Sequence, residues 1–321
     1  NVVVRVTAKG IAGAAPDDGR FNRAALGVYE MGSTFKLLTA AQALETGTSK
    51  LSTRFDATQP LRIGRFTISD FHAKNRWLSL EEILIYSSNI GAARVAEAGG
   101  PEAQRAFLNT VGMLTPSTVE LDERGAPLTP QRWSEVRMQT IAFGHGIAVT
   151  PIHLAAATAG LVNGGIFRQA TVLKRLEGEQ PNGRRVVSEA VSDNMRWLMR
   201  QVVANGTGGK ADVVAYPVGG KTGTAEKARG RGGYDRDAKL ASFIAAFPIQ
   251  APKYVLLVMI DEPKGRKDTY NYATGGWVAA PAVKRIIERA GPVLGMPPLT
   301  ASSPDQAKPI LNIPPLAKHD T

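Results

Sequence analysis

Segments with the pattern of β-strands lie at the two ends of this chain, and segments with the pattern of helices fill the middle. Val2-Val3-Val4-Arg5-Val6 reads as a strand. Near the other end, Val218 to Ala225 is rich in glycine and threonine and too short for a helix. Residues 240–247 and 254–261 are apolar strands with Pro248 and Pro252 between them, the outline of a hairpin. A sheet that draws strands from both ends must enclose whatever lies between them. The pattern therefore predicts one mixed α/β unit, with a helical insertion over about residues 50–165.

The middle supports that reading. From Ser33 to about Thr46, Phe35, Leu37, Leu38, Ala41 and Leu44 recur at helical spacing, and Gly47 is a natural stop. Residues 50–78 are polar and mixed, read as loop and short strand. Ser79-Leu80-Glu81-Glu82 has capping-box spacing, so a helix is expected from Leu80 into Tyr86–Gly91, with a second piece from Ala92 to Ala98. Residues 102–163 read as mainly helical, interrupted by proline-containing loops and by Phe143-Gly144-His145-Gly146, with a fresh start at Pro151. A β-like segment is expected near 166–176. Helices follow through Val191, Met195, Leu198, Met199, Val202 and Val203, and from Val278 to Ala290. Pro16-Asp17-Asp18-Gly19 reads as a turn, 226–239 as a charged, glycine-rich mobile loop, and 292–321 as an extended proline-rich tail beyond a unit spanning 1–291.

Composition narrows the chemistry. The chain has 321 residues, 43% of them hydrophobic, enough for a sizeable core. It has no apolar run of about 18 residues, the length of a membrane span. A chain that opens on Asn1 reads as a processed or trimmed piece, with any anchor or partner domain upstream outside it. A net charge of +11 suits nucleic acid, an anionic membrane surface or an anionic polymer such as a cell wall, and equally a surface that is simply basic. No run of Lys/Arg interleaved with aromatics marks a nucleic-acid groove. With no cysteine, disulfides, thiolate metal sites and cysteine catalysis are excluded.

Ser33 and Lys36 stand three residues apart at the start of the first helix, where i and i+3 side chains share a face. Ser-x-x-Lys occurs once, and alone it is a weak signal. Lys-Thr-Gly also occurs once, at Lys221-Thr222-Gly223 on an expected strand. Ser-x-Asn occurs twice. Ser192-Asp193-Asn194 opens an amphipathic helix, where Ser192 and Asn194 are explained as capping residues. Ser87-Ser88-Asn89 falls between two helical pieces, and a junction of that kind can aim side chains into a cleft; Ser87 and Asn89 are preferred. The set Ser-x-x-Lys, Ser-x-Asn and Lys-Thr-Gly marks penicillin-binding proteins and serine β-lactamases.

From about Phe21 to Ala290 the chain resembles the transpeptidase domain of class B penicillin-binding proteins. The resemblance rests on Tyr29–Lys36, Ser87–Gly91, Phe143–Pro151, Asn163-Gly164-Gly165, Gly220–Ala225 and Gly275–Pro281. Phe71-His72, Ser87–Gly91 and Ala142–Gly146 look most like the division-specific (FtsI-type) branch of proteobacteria. Met31 departs from the pattern, since many relatives carry proline there. The resemblance implies the penicillin-binding/serine β-lactamase-like fold, an antiparallel central sheet flanked by helices with an all-helical subdomain inserted. It also implies an N-terminal membrane anchor and pedestal outside this chain, and a place on the periplasmic face of the inner membrane.

What the resemblance implies for chemistry is acyl transfer. Ser33 is the expected nucleophile on the D-Ala–D-Ala bond of a peptidoglycan stem peptide. A neighbouring stem's amine then takes the acyl group, and β-lactams acylate the same serine. A serine hydroxyl needs an adjacent base. The four histidines, His72, His145, His153 and His319, lie outside the three motifs, so Lys36 is expected to serve once burial and a like charge from Lys221 lower its pKa. Ser87 is expected to relay a proton and Asn89 to hold Lys36 and the substrate amide. Thr222, Gly223 and Thr224, with Lys221, are expected at the substrate's carboxylate, and the backbone N–H groups of Ser33 and Thr224 form the oxyanion hole. No metal or organic cofactor is implied. Expected partners are stem peptides, β-lactams and, through the longer protein, a membrane glycosyltransferase and division proteins. A D,D-carboxypeptidase or β-lactamase shares all three motifs, and a catalytically silent β-lactam-binding scaffold is the reading from another class. His72 and His145 are expected as hydrogen-bonded structural residues. Arg229, Arg231 and Arg236 border the Lys221 strand and could meet substrate or partner, or simply be solvated.

Overall fold

The computed structural model describes residues 2–4, 21–64, 66–176, 178–179, 181–228, 233–300, 303 and 310–311. The expected turn at Pro16–Gly19, Arg229, Arg231, His319 and most of the C-terminal tail lie outside them.

Four strands form the main sheet. They are β1 (Val2–Val4), β8 (Gly219–Ala228), β9 (Tyr234–Phe247) and β10 (Tyr254–Asp261), in the order β1-β10-β9-β8. β8, β9 and β10 run antiparallel, and β1 joins the β10 edge in parallel. The expected sheet from both chain ends is therefore present. Small two-stranded pairs sit elsewhere: β2 (Arg54–Asp56) with β5 (Trp77–Ser79), β3 (Leu61–Ile63) with β4 (Phe66–Ile68), and β6 (Ile166–Phe167) with β7 (Arg184–Arg185).

The period of two in β9 and β10 divides the core between the two faces of the sheet. Ile244, Ala246, Val255 and Leu257 face one apolar cluster, shared with α1 (Lys36–Glu45), α2 (Leu80–Tyr86), α3 (Asn89–Gly99), α6 (Pro151–Val162) and α7 (Glu189–Asn205). Phe243, Ala245, Phe247 and Leu256 face the other, against Ala279, Ala280, Val283 and Ile287 of α8 (Gly275–Val293). Helices thus cover both faces, which is why residues 240–247 and 254–260 of these strands are largely apolar. Two further helices, α4 (Pro101–Thr110) and α5 (Glu135–Ile141), extend the helical side.

Local signals explain most boundaries. Ser79 and Glu82 form the reciprocal capping box expected at α2. Thr150 caps α6, with Pro151 at its first position. Three expectations are corrected. Residues 111–134 contain no helix, because Gly112, Pro116, Gly125, Pro127 and Pro130 break the pattern; Leu128 instead bridges Ala148. The β-like segment shrinks to Ile166–Phe167. The expected loop at 226–239 is largely strand, since β8 continues to Ala228 and β9 starts at Tyr234. There Lys227 pairs with Asp261 and Glu262, each at 2.7 Å, so charged side chains hold the extension that composition alone assigns to a loop.

Candidate active site

The site is built around a tight approach of three backbone segments. Tyr29 exchanges hydrogen bonds with Val149, at 2.9 and 3.0 Å, which fixes the chain entering residues 30–33. Gly32 is left-handed, with φ +54°, and a Cβ there would lie 2.7 Å from Thr224 O on β8. Gly144, with φ +83°, stacks so closely that a Cβ would fall 2.2 Å from Gly32 O. Only glycine satisfies both positions. Ser33 follows in a 3-10 turn, Gly32–Phe35, that leads directly into α1. Ser33 is half-buried and Lys36, on the first turn of α1, is fully buried.

The second element is the junction of α2 and α3. Ser87 ends α2 in the left-handed conformation, φ 59° and ψ 40°, and Ser88 caps α3 by accepting from Gly91 N at 2.9 Å. This turn aims three acceptors at one amine. Lys36 Nζ donates to Ser87 O at 2.5 Å and to Asn89 Oδ1 at 2.8 Å, and it lies 3.1 Å from Ser87 Oγ and 2.9 Å from Ser33 Oγ. The carbonyl and the amide oxygen can only accept. A neutral Lys36 therefore spends its two N–H groups on them and turns its lone pair toward the hydroxyls of Ser33 and Ser87.

The third element is β8. Lys221 pairs with Ile244 and shares its sheet face, toward the cluster that includes α1 and α2. Lys221 is fully buried, and its Nζ donates to Ser87 Oγ at 2.9 Å and to Thr222 O at 3.2 Å. One hydroxyl, Ser87 Oγ, thus lies between two lysines. Burial, and secondly the charge of Lys221, hold Lys36 well below the usual lysine range, while the Asp70 carboxylate pulls it back up. Burial lowers Lys221 to about 7. Two buried ammonium groups this close disfavour each other, and Lys36 is the one that stays neutral.

Thr222 and Thr224 point to the opposite face, toward the start of α8. Thr222 Oγ1 is 2.9 Å from Thr207 Oγ1, and Thr224 Oγ1 accepts from Gly275 N at 3.1 Å. Thr222 is buried and Thr224 half-buried. A Cβ at Gly223 would meet Ser242 Oγ at 2.3 Å and Met31 O at 2.8 Å, so this strand position packs directly on the serine loop. Ser33, Lys36, Ser87, Asn89 and Lys221 form one hydrogen-bonded chain, and Thr222, Gly223 and Thr224 edge it.

Ser192 and Asn194 are not there. α7 starts at Glu189 with Ser188 as its cap, which corrects the expectation that Ser192 and Asn194 cap it. Ser192 is buried inside the first turn and accepts from Gly164 N at 3.0 Å. His72 is exposed, edge-on to Phe71 at 4.6 Å. His145 lies between Phe143 and Tyr234, with ring centroids at 5.3 and 5.4 Å, and burial lowers its pKa. His153 is buried, held by Thr150 and by Thr115 O. Arg236 lies in β9.

Two residues escaped the sequence reading. Asp70, on the β4–β5 connection, accepts from Asn89 N at 2.5 Å, Ile90 N at 3.0 Å and Ser88 Oγ at 2.6 Å. Glu30 accepts from Gly146 N at 2.9 Å and from the Tyr234 hydroxyl at 3.1 Å, tying the serine loop to the Phe143–Gly146 turn and to β9. Glu30 lies within the Tyr29–Lys36 segment, three residues before Ser33, but outside the Ser-x-x-Lys pattern; Asp70 carries no local signal.

Residues 11–288 match the model of the penicillin binding protein transpeptidase domain. The chain is 45% identical over 295 residues to a protein described as the probable peptidoglycan D,D-transpeptidase FtsI of Caulobacter vibrioides, covering 89% of this chain and 50% of that protein. The chain spans about half the length of the curated relatives it matches. Among solved structures it is similar to the apo transpeptidase domain of Burkholderia pseudomallei penicillin-binding protein 3, with a TM-score of 0.79 and 30% identity over 87% of this chain and 83% of that one. It is also similar to penicillin-binding protein 3 of Mycobacterium tuberculosis in complex with ampicillin, with a TM-score of 0.79 and 25% identity over 90% of this chain and 67% of that one.

Proposed function

The chain belongs to the penicillin-binding protein transpeptidase family, and from that premise we propose that it is a peptidoglycan D,D-transpeptidase acting through an acyl-enzyme on Ser33. The observation that carries the reading is the fully buried Lys36 amine, set 2.9 Å from Ser33 Oγ with its other hydrogen bonds taken by Ser87 and Asn89.

Lys36 takes the Ser33 proton as Ser33 Oγ bonds to the penultimate D-Ala carbonyl carbon of a stem peptide. Backbone N–H groups of Ser33 and Thr224 hold the oxyanion. The C–N bond then breaks, and the proton passes through Ser87 to the amine of the departing D-Ala. Asn89 orients Lys36 and the donor amide. Lys221 keeps Lys36 neutral, and the positive charge it carries below about pH 7, with Thr222, Gly223 and Thr224, attracts the donor's terminal carboxylate. An amine from a second stem attacks the ester carbonyl, returns its proton through the same lysine and frees Ser33, leaving a cross-link. β-Lactams acylate Ser33 as donor mimics.

The likeness to FtsI supports a role in septal wall synthesis. In a protein of the curated relatives' full length, this domain would work on the periplasmic face of the inner membrane beside a membrane glycosyltransferase and other division proteins. Among the described residues no helix is long and apolar enough to cross a membrane.

The test is a labelled penicillin chase together with turnover of a stem pentapeptide and an amine acceptor. A transpeptidase holds the label for long times and makes the amide product. Rapid release of label and formation of the tetrapeptide acid alone would make the chain a hydrolase of the carboxypeptidase or β-lactamase kind. Label that is held while neither the amide nor the tetrapeptide acid forms would make it a catalytically silent β-lactam-binding scaffold.

A further inference from the structure

Asp70 sits on the connection between β4 and β5, outside the three motifs, yet its carboxylate accepts from Ser88, Asn89 and Ile90, the residues that follow Ser87 into α3. Resting on the function proposed above, we infer that Asp70 is a positioning residue that holds this turn in the one orientation presenting Ser87 Oγ and Asn89 Oδ1 to Lys36.

The first N–H groups of α3 have no partner within the helix. Asp70 Oδ1 accepts two of them, Asn89 N at 2.5 Å and Ile90 N at 3.0 Å. Its Oδ2 accepts the Ser88 hydroxyl at 2.6 Å, which leaves a Ser88 lone pair to cap Gly91 N at 2.9 Å. A negative charge at a helix start also suits the helix dipole. The neighbouring Ser69 completes the clamp: its carbonyl accepts from Asn89 Nδ2 at 3.1 Å. That contact assigns the amide, with nitrogen toward Ser69 and oxygen toward Lys36. Flipped, Asn89 would set N–H against the lysine's own N–H groups. Ser87 adopts a left-handed backbone that side-chain-bearing residues avoid, so the turn depends on its neighbours to persist.

Among the described residues whose charges act on Lys36, Asp70 supplies the carboxylate. These are Lys221 from β8, Asp70 from the β4–β5 connection, and His145 from the Phe143–Gly146 turn. Its negative charge favours the lysine's protonated form. Removing that charge lets Lys36 lose its proton at lower pH, so the acid limb of acylation moves down. A residue that merely stabilised the fold would not move that limb.

The experiment measures the second-order rate of Ser33 acylation by a reporter penicillin, against pH, for the 321-residue chain and its Asp70→Asn and Asp70→Ala variants, with thermal melts of each. Asp70→Asn keeps the shape and an acceptor for the two N–H groups, but loses the charge and puts a donor against Ser88 Oγ. We expect its plateau rate to fall roughly 10-fold and Asp70→Ala roughly 100-fold, the range seen when a partner that orients an active group is removed. The acid limb of Asp70→Asn lies at lower pH than wild type. If Asp70→Ala does not fold, Asp70→Asn decides. Wild-type plateau and limb in Asp70→Asn overturn the inference, as does a loss that follows the folded fraction with the limb unmoved. If the wild-type chain itself takes no penicillin at Ser33, the proposed function fails first and this inference falls with it.

Discussion

Two stretches of this chain carry the same three-residue pattern and do opposite things. Ser87-Ser88-Asn89 sits where one helix ends and another begins, and its left-handed Ser87 turns a hydroxyl, a carbonyl and an amide toward two buried lysines. Ser192-Asp193-Asn194 runs inside the first turns of α7, where regular backbone spreads the side chains around a cylinder. Its serine turns inward to satisfy Gly164 N and goes no further. Spacing along the chain is identical; backbone conformation decides which serine reaches a lysine.

The comparison breaks most sharply at Lys36, which only the first stretch touches. Lys36→Met removes the amine and keeps an apolar stem, and acylation by a reporter penicillin is expected to fall by about 10²–10⁴-fold, the range for losing a general base. Stopped-flow or gel labelling reads this directly.

Matched serine variants sharpen the contrast. Ser87→Ala is expected to slow acylation roughly 100-fold with little change in melting temperature. Ser192→Ala leaves acylation alone and destabilises by about 1 kcal/mol, through the Gly164 N–H left without its acceptor. A slowed Ser192→Ala, or an unaffected Ser87→Ala, would reverse the assignment. The asparagines extend the test with smaller effects. Asn89→Ala is expected to cost roughly 10-fold in acylation. Asn194→Ala stays within about 0.5 kcal/mol of wild-type stability, as a half-exposed helix position does.

Much of this was legible in the sequence because it follows from local rules. The capping box at Ser79–Glu82, the Thr150-Pro151 start of α6 and the apolar strands of the β9–β10 hairpin are signals a few residues long, and each element forms where those signals stand. The cluster of Ser33, Lys36, Ser87, Asn89 and Lys221 was legible as a set of motifs. The parts that were not legible depend on contacts distant in the chain. Asp70 has no motif because its role exists only when the β4–β5 connection lies against the start of α3. Lys221 and Thr222 leave β8 on opposite faces, yet Lys221 Nζ reaches Thr222 Oγ1 at 3.3 Å around this edge strand, a consequence of register and sheet order. The extension of β8 and β9 through charged, glycine-rich sequence is held by Lys227 with Asp261 and Glu262, not by burial, so hydropathy could not show it.

A further prediction concerns the pH dependence of stability. Folded Lys221 gives up its proton at about 7, whereas in the unfolded chain a lysine keeps it to about 10.4. Between those values the unfolded state holds more protons, so stability rises with pH. Lys36, also lowered, acts in the same direction. Chemical denaturation at pH 7 and pH 9 should show greater stability at pH 9, and Lys221→Met should flatten the difference. Equal effects from substituting exposed lysines would argue against burial as the cause.

The central claim is that Ser33 is the nucleophile and that Lys36 activates it. The most direct measurement is intact-protein mass after exposure to penicillin, with the adduct mapped to a peptide, on wild type, Ser33→Ala and Lys36→Met. The account predicts one penicilloyl adduct per wild-type chain, located on the peptide containing Ser33. It predicts none on Ser33→Ala and only slow formation on Lys36→Met. An adduct on Ser87 or Ser192, or one that survives Ser33→Ala, would contradict it.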